Sequence, residues 1–483
     1  MADNSLKSKT FTNFVWRFAE RILAQLISFV VSLVLARILS PDDYGTVALI
    51  LVFTNIMQVF VDSGLANALI QKKDADDIDF SSVFYFNIVW CLALYSLLFV
   101  FAPLIATFYG REELVPLIRV LGLTVVASGV KNVQQAYVSR TLQFRKFFGA
   151  TLIGTLLSAV IGIFLALRGF GAWAIIGQYL GNICIDTLAL WITVKWRPIK
   201  AFSFNRLRSL LSYGWKLLAS GLLETIYQNV WQLVIGKIYT PSDLAYYNQG
   251  NKFPNIIISN VNSSIDSVLL PVMSKEQDDV NRVKAMTRRA IKSSVYIMAP
   301  LMFGLAVTSE IIVKIVLTDK WLPCVPFLCI FCVSNIFMPI HTANLNAIKA
   351  LGRSDLFLKL EIIKKVVGFL ALIISANISV MAMAWATLIV SFIFQIINAW
   401  PNSSLLKYGY IEQIKDIMPS LIISAVMAII VYFMKRIPFN IYLVLVLQIA
   451  VGIASYFLFS KLFKIDSFLY FMDIARSFLK KKK

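Results

Sequence analysis

Hydrophobic stretches of about 20 to 28 residues follow one another along almost the whole chain, and each can cross a hydrocarbon core of roughly 30 Å as a helix. Lipid offers no partner to a free backbone N–H or C=O, so such stretches must fold as continuous helices. Fourteen candidates can be placed, at about 12–37, 43–70, 80–108, 114–139, 146–167, 171–194, 209–237, 243–270, 290–317, 324–349, 357–376, 379–399, 413–434 and 440–462. The last two are separated only by KRIPFN, which leaves counts of twelve or thirteen open. Ser40-Pro41-Asp42 and Thr240-Pro241-Ser242 carry helix-start chemistry.

Among 483 residues, 59% are hydrophobic and 15% charged, and the mean hydropathy is +0.75. That composition excludes a soluble globular chain and leaves no room for a sizeable extramembrane domain. A net charge of +20 would suit nucleic acid if it were clustered. Here the cations are scattered over short loops between apolar segments, so they read as orientation signals and no nucleic-acid partner is expected.

Six Lys or Arg residues lie between Lys195 and Lys216, near the middle of the chain. With the amino terminus inside, the cytoplasmic segments hold roughly thirty Lys and Arg against about seven outside. Both termini are then cytoplasmic, and the tail Lys480-Lys481-Lys482-Lys483 suits an anionic inner leaflet. The first span follows the polar start MADNSLKSKT without a small-residue cleavage site, so it reads as a retained helix.

The chain repeats itself at an offset of 200: VLARILSPDDYG (34–45) matches VIGKIYTPSDLA (234–245). Trp16-Arg17 corresponds to Trp215-Lys216, and Ala172-Trp173-Ala174 to Ala384-Trp385-Ala386. The expected architecture is an all-α polytopic membrane protein of about fourteen transmembrane helices. It comprises a lobe over 1–200, a second over 201–400 related by a pseudo-two-fold repeat, and two extra helices with a basic tail over 401–483. Such repeats place a substrate path at the interface between the halves.

Ionisable groups at membrane depth cost about 2.5–3.5 kcal/mol each on insertion scales, so their positions are informative. The first helix carries Arg17, Glu20, Arg21 and Gln25; its repeat partner carries Lys216, Ser220, Glu224 and Gln228. The second helix shows Thr54, Gln58 and Asp62, and the eighth shows Asn248, Lys252, Asn255, Ser259, Asn262 and Asp266. Fourfold spacing puts each set on one helical face. A plainer reading is that the outer cations snorkel to an interface or pair internally, as Arg17 could with Glu20. Weighed against it, Arg17, Arg21, Lys216, Glu224, Gln25 and Gln228 are nominated to contact an anionic head group, which Arg can hold bidentately. Asp62, Glu224 and Asp266 are nominated for proton or sodium coupling. Lys131, Asp186, Lys364 and Lys365 stand open between structural and functional roles, and His341 reads first as a satisfied core residue. Cys329 and Cys332 form a C-x-x-C, but Cys91, Cys184, Cys324, Cys329 and Cys332 all lie in or beside apolar runs and read as small hydrophobes. No metal, cofactor or catalytic constellation is expected.

The stretch ARILSPDDYGTVALILVFTNIMQVFVDSGLANALIQKKD (36–74) resembles the amino-terminal signature of the polysaccharide exporter family, within the multidrug/oligosaccharidyl-lipid/polysaccharide (MOP) flippase superfamily. Its marks are Pro41, Tyr44 and Gly45, then Asp62 and Gly64, then Ala68, Ile70 and Gln71. YVSRTLQFRKF (137–147), RGFGAWAI (168–175) and ALGRSD (350–355) extend the likeness, which is nearest to the Wzx-type O-antigen, colanic-acid and teichuronic-acid branch. The resemblance implies a MATE-like MOP fold in the bacterial inner membrane. It implies flipping of undecaprenyl-diphosphate-linked oligosaccharide units by alternating access, for surface polysaccharide synthesis. The partners it implies are that lipid-linked oligosaccharide, membrane lipids and the polysaccharide polymerase machinery. Lipid II flipping and ion-coupled multidrug export are the alternatives; the cationic stripes argue against the latter. An enzyme acting on the same lipid would need a catalytic constellation, commonly in a large external loop, and the external loops are short.

Overall fold

The computed structural model describes residues 23–62 and 64–481. The first compact unit spans Met1–Ala245. It contains α1 (Leu23–Ile38), α2 (Pro41–Asp62), α3 (Leu65–Gln71), α4 (Asp77–Tyr109), α5 (Leu114–Arg140), α6 (Phe144–Leu167), α7 (Ala172–Thr193) and α8 (Phe204–Ile238). α9 (Pro241–Lys275) begins in it and continues into the second unit, Tyr246–Lys483. There follow α10 (Val280–Val316), α11 (Val325–Asn335), α12 (Met338–Ala350), α13 (Ser354–Ala376) and α14 (Val380–Leu405). α15 (Tyr410–Phe433), α16 (Ile441–Leu462) and α17 (Asp466–Lys481) complete the chain, and the described residues contain no strand.

Eleven helical segments among the described residues are long and apolar enough to cross a membrane. α1, α8 and α13 occupy the other three expected positions. The described part of α1 is short, and polar stripes dilute α8 and α13.

Two expected spans are broken. The stretch 43–70 divides where Gly64 turns left-handed at φ 69°, a conformation that only glycine takes without strain. The stretch 324–349 divides after Asn335, whose carbonyl cannot be met by Pro339, a residue without an N–H. Two connectors are more ordered than their polarity suggests. α10 starts at Val280, capped by the Asp279 side chain, so most of the basic 275–292 stretch is helix. The tail forms α17, an amphipathic helix absent from the sequence expectation.

The repeat is visible as a duplicated helix start. The Ser40 amide donates to Asp43 Oδ2 at 3.0 Å and the Asp43 amide donates to Ser40 Oγ at 3.2 Å, a reciprocal cap. Thr240 and Asp243 repeat it, both bonds being 3.2 Å. α8 packs along α2, so contacts divide the chain at Ala245 whereas the repeat divides it at 200. A Cβ on Gly64 would lie 2.8 Å from the Gly214 Cα, and one on Gly221 3.3 Å from Val59. Small residues that admit such approach are what holds membrane helices together.

In the second unit, α15 and α16 pack on α10. Pro300 inside α10 leaves the Tyr296 carbonyl without its helical amide, and the Tyr456 hydroxyl of α16 donates to it at 2.7 Å.

Candidate functional site

The break in the second span organises the first unit's polar interior. The last carbonyls of α2 have no helical partner, which costs several kcal/mol in lipid if left unmet. Two side chains meet them: Trp90 Nε1 of α4 donates to the Phe60 carbonyl and Asn132 Nδ2 of α5 to that of Val61, both at 3.2 Å. Asp62, at the broken end, accepts from Gln58 at 3.4 Å. One residue from Asn132, Lys131 forms a 2.6 Å ion pair with Asp186 of α7, their side chains 15% and 7% exposed. The second oxygen of Asp186 and both amide atoms of Asn87 are buried without a hydrogen-bond partner among the described residues. Asp62 and Lys131 lie within electrostatic reach of each other. The cluster thus holds two carboxylates, one ammonium and unfilled acceptor capacity across α2, α4, α5 and α7. Sequence reasoning nominated Asp62 and left Lys131 and Asp186 open; the spacing 62, 131, 186 gives no signal before the helices are packed.

α8 carries the other nominees. Gln228 Nε2 donates to Glu224 Oε1 at 2.9 Å on an exposed face. Lys216 lies two turns earlier on the same helix, with its side chain outside the described residues. Arg17 and Arg21 also fall outside the described residues, and Gln25 is half-buried on α1. The structure therefore brings Glu224 to Gln228 and Asp62 to Gln58, on two helices that pack together.

Asp266 belongs to the second unit, where Asn346 Nδ2 of α12 donates to it at 2.7 Å. That unit contains a buried amide network which the sequence reading missed. Asn344 and Gln413 exchange hydrogen bonds of 2.8 and 3.0 Å, and Asn402 donates to Asn344 Oδ1 at 2.7 Å. The network ties α12, α14 and α15 together; its only advance signal is the fourfold spacing of Asn398 and Asn402. His341 sits beside it, 3.0 Å from the Asn398 amide, as a hydrogen-bonded core residue. Lys364 is held by Glu361 at 2.5 Å. The five cysteines are free thiols.

The basic linker is fastened. Arg206 Nη1 contacts Asp76 Oδ1 at 2.5 Å, the Trp196 indole donates to Asp77 at 3.0 Å, and the Ile199 and Ser203 amides donate to Ser81 and Ser82 at 2.9 Å each. The Arg206 guanidinium, followed by backbone amides, holds the Asp76 carboxyl down at about 2.

The chain is 26% identical over 385 residues to the teichuronic acid biosynthesis protein TuaB of Bacillus subtilis strain 168, covering 78% of this chain and 79% of that protein. It is 28% identical over 340 residues to the succinoglycan biosynthesis transport protein ExoT of Rhizobium meliloti strain 1021, covering 70% and 69%. Among solved structures, a lipid II flippase MurJ in an inward closed conformation superposes with a TM-score of 0.77 at 17% identity, covering 94% of this chain and 99% of that one. The shared fold is the MOP type anticipated from the motifs. A family described as polysaccharide biosynthesis protein matches residues 34–326. The matched region takes in the Ser40–Asp43 cap, Tyr44, whose hydroxyl donates back to the Ser32 carbonyl just ahead of it at 2.9 Å, and Gly45 pressed on the Pro241 backbone. With well over half of its length accounted for in this way, the chain belongs to the polysaccharide biosynthesis protein family.

Proposed function

We propose that this multi-pass membrane protein is a flippase. It moves undecaprenyl-diphosphate-linked oligosaccharide repeat units from the inner to the outer leaflet of a bacterial cytoplasmic membrane, by alternating access of its two homologous halves. The observation that carries the reading is the family match together with alignment, over 70% of the chain or more, to relatives named for polysaccharide biosynthesis and transport. Sugars and a diphosphate cannot cross bare hydrocarbon, because each unsatisfied polar group costs several kcal/mol there. Polar stripes on membrane helices, such as Glu224 with Gln228, support shelter for such a head. The Arg17, Arg21, Gln25 and Lys216 positions would supply donors to the diphosphate. On this reading both termini would lie on the cytoplasmic side, as the Lys/Arg bias of the loops supports, and the exported units would pass to polysaccharide polymerase machinery.

Coupling to protons or sodium is assigned to Asp62, Glu224 or Asp266. The Lys131–Asp186 pair beside Asp62 supports the first of these, since the Lys131 ammonium lies within electrostatic reach of both carboxylates and a proton or cation gained at Asp62 would change the charge balance of the pair.

Arg21→Ala and Lys216→Ala are expected to stall surface-polymer export while protein level stays normal; unimpaired export in both would remove these residues from the site. In proteoliposomes, the purified protein is expected to carry a fluorescent undecaprenyl-diphosphate oligosaccharide across the bilayer. Transfer of lipid II alone would replace the substrate assignment with the lipid II reading, and transfer of neither would end the flippase reading.

A further inference from the structure

A cavity of about 270 Å³ opens where the start of α10 meets the tail helix α17, lined by Arg288, Arg289, Lys292, Ser293, Asp466, Ser467 and Tyr470 among others. Three cations face one carboxylate. Arg288 is engaged by Asp416 at 2.6 Å and Glu412 at 3.3 Å, and Lys292 by Asp466 at 2.5 Å. Arg289 has no carboxylate partner among the described residues; its guanidinium sits 4.7 Å from the centre of the Tyr470 ring. Ser467 is 4% exposed, and its hydroxyl makes no hydrogen bond within the described residues. The cavity therefore offers one guanidinium without a carboxylate, two further cations that are already paired, and hydroxyls with no hydrogen bond among the described residues, a donor set that suits a phosphate.

Its position identifies the source of the phosphate. Only three residues separate the end of α16 at Leu462 from the start of α17, so the cavity lies at the end of a membrane span, at head-group height. α17 is amphipathic: Phe468, with Ile465 just before the helix, is buried in a cluster with Tyr296 and Tyr456 while Leu469 and Met472 stay exposed, the pattern of a helix lying in the interface. One turn beyond Ser293 on α10, Tyr296 and Ile297 begin an apolar groove of about 470 Å³ that continues past Pro300 between α15 and α16. An acyl chain leaving the cavity would enter that groove directly.

We propose that this cavity holds the phosphate of a resident anionic phospholipid, with one acyl chain in the α10–α15–α16 groove. The lipid fastens the tail helix to the bundle, independently of what the protein transports.

The test uses the full-length protein, delipidated in detergent and titrated with phosphatidylglycerol, phosphatidylcholine, undecaprenyl diphosphate or inorganic phosphate, with bound lipid counted by native mass spectrometry. One tight phosphatidylglycerol is expected per chain, with phosphatidylcholine far weaker. Arg289→Gln is expected to weaken phosphatidylglycerol about fivefold, the worth of one interfacial cation, and Arg289→Lys to restore most of it. Because Arg289 has no carboxylate partner, its replacement breaks no ion pair among the described residues; unchanged helical circular dichroism checks the fold. Equal retention by wild type and Arg289→Gln, or no preference over phosphatidylcholine, would overturn the proposal. So would displacement by millimolar inorganic phosphate, which points to a free-anion site, or tighter Arg289-dependent binding of undecaprenyl diphosphate, which points to cargo.

Discussion

Gly45 and Tyr456 illustrate how single positions fix this fold. A Cβ on Gly45 would stand 1.8 Å from the Pro241 carbonyl oxygen, and backbone on both sides leaves nothing that can yield. Gly45→Ala is expected to lower the folded yield sharply and to reduce the apparent melting temperature in detergent, since forced overpacking costs about 1–3 kcal/mol or more; a wild-type melting curve would contradict the contact. Tyr456→Phe keeps the ring but orphans the Tyr296 carbonyl below Pro300, a loss of about 1–3 kcal/mol that thermal unfolding should register. The sequence makes Pro41, Tyr44 and Gly45 recognisable as a motif. It does not say that the hydroxyl of one reaches Ser32 or that another abuts Pro241, 196 residues further on, because such contacts exist only after packing. The same limit applies to the candidate site: fourfold spacing reveals Glu224 with Gln228, whereas Lys131 and Asp186 find each other only across two helices.

At the level of helices, hydropathy located the spans well because lipid imposes a length and a composition on each. It located the breaks at Gly64 and Pro339 poorly, because an apolar stretch reads the same whether its backbone bends or not. Polarity likewise hid the docked state of the linker. Asp76 has its carboxyl depressed to about 2 against roughly 4 in an unfolded chain. A depressed carboxylate adds stability that is fully present above about pH 4 and vanishes as the pH falls through about 2. Fluorescence of Trp196, which is hydrogen-bonded to neighbouring Asp77, should therefore hold steady from pH 8 to 5 and change only below about pH 4. An Asp76→Asn variant should shift that emission already at neutral pH; a transition between pH 8 and 5 in the parent would rule this pair out as the fastening.

Across the whole chain, the repeat and the charge bias between loops were open to reading because both are one-dimensional: an offset of 200 and a count of Lys and Arg. The disposition of polar groups around Asp62 was not, and neither was the tail helix, whose apolar side chains are too few to register as a span. Export in cells is expected to stop within minutes when both the membrane potential and the ion gradients are collapsed, and Asp62→Asn to leave the residual rate unaltered by that treatment. Continued export under full collapse would remove ion coupling from the scheme. Reporter fusions at either end should be active only on the cytoplasmic side.

The fastening of residues 195–208 bears on how the protein meets a protease. Lys195, Lys200, Arg206 and Arg208 give trypsin four chemically eligible bonds, the one after Arg197 being closed to it by Pro198. Cleavage needs several consecutive residues to peel free and lie extended in the enzyme, yet amides at 199 and 203 are already committed to serines of α4. Digestion of the native protein should therefore spare its most arginine- and lysine-dense midpoint, and a nick there would report that the strap had come undone.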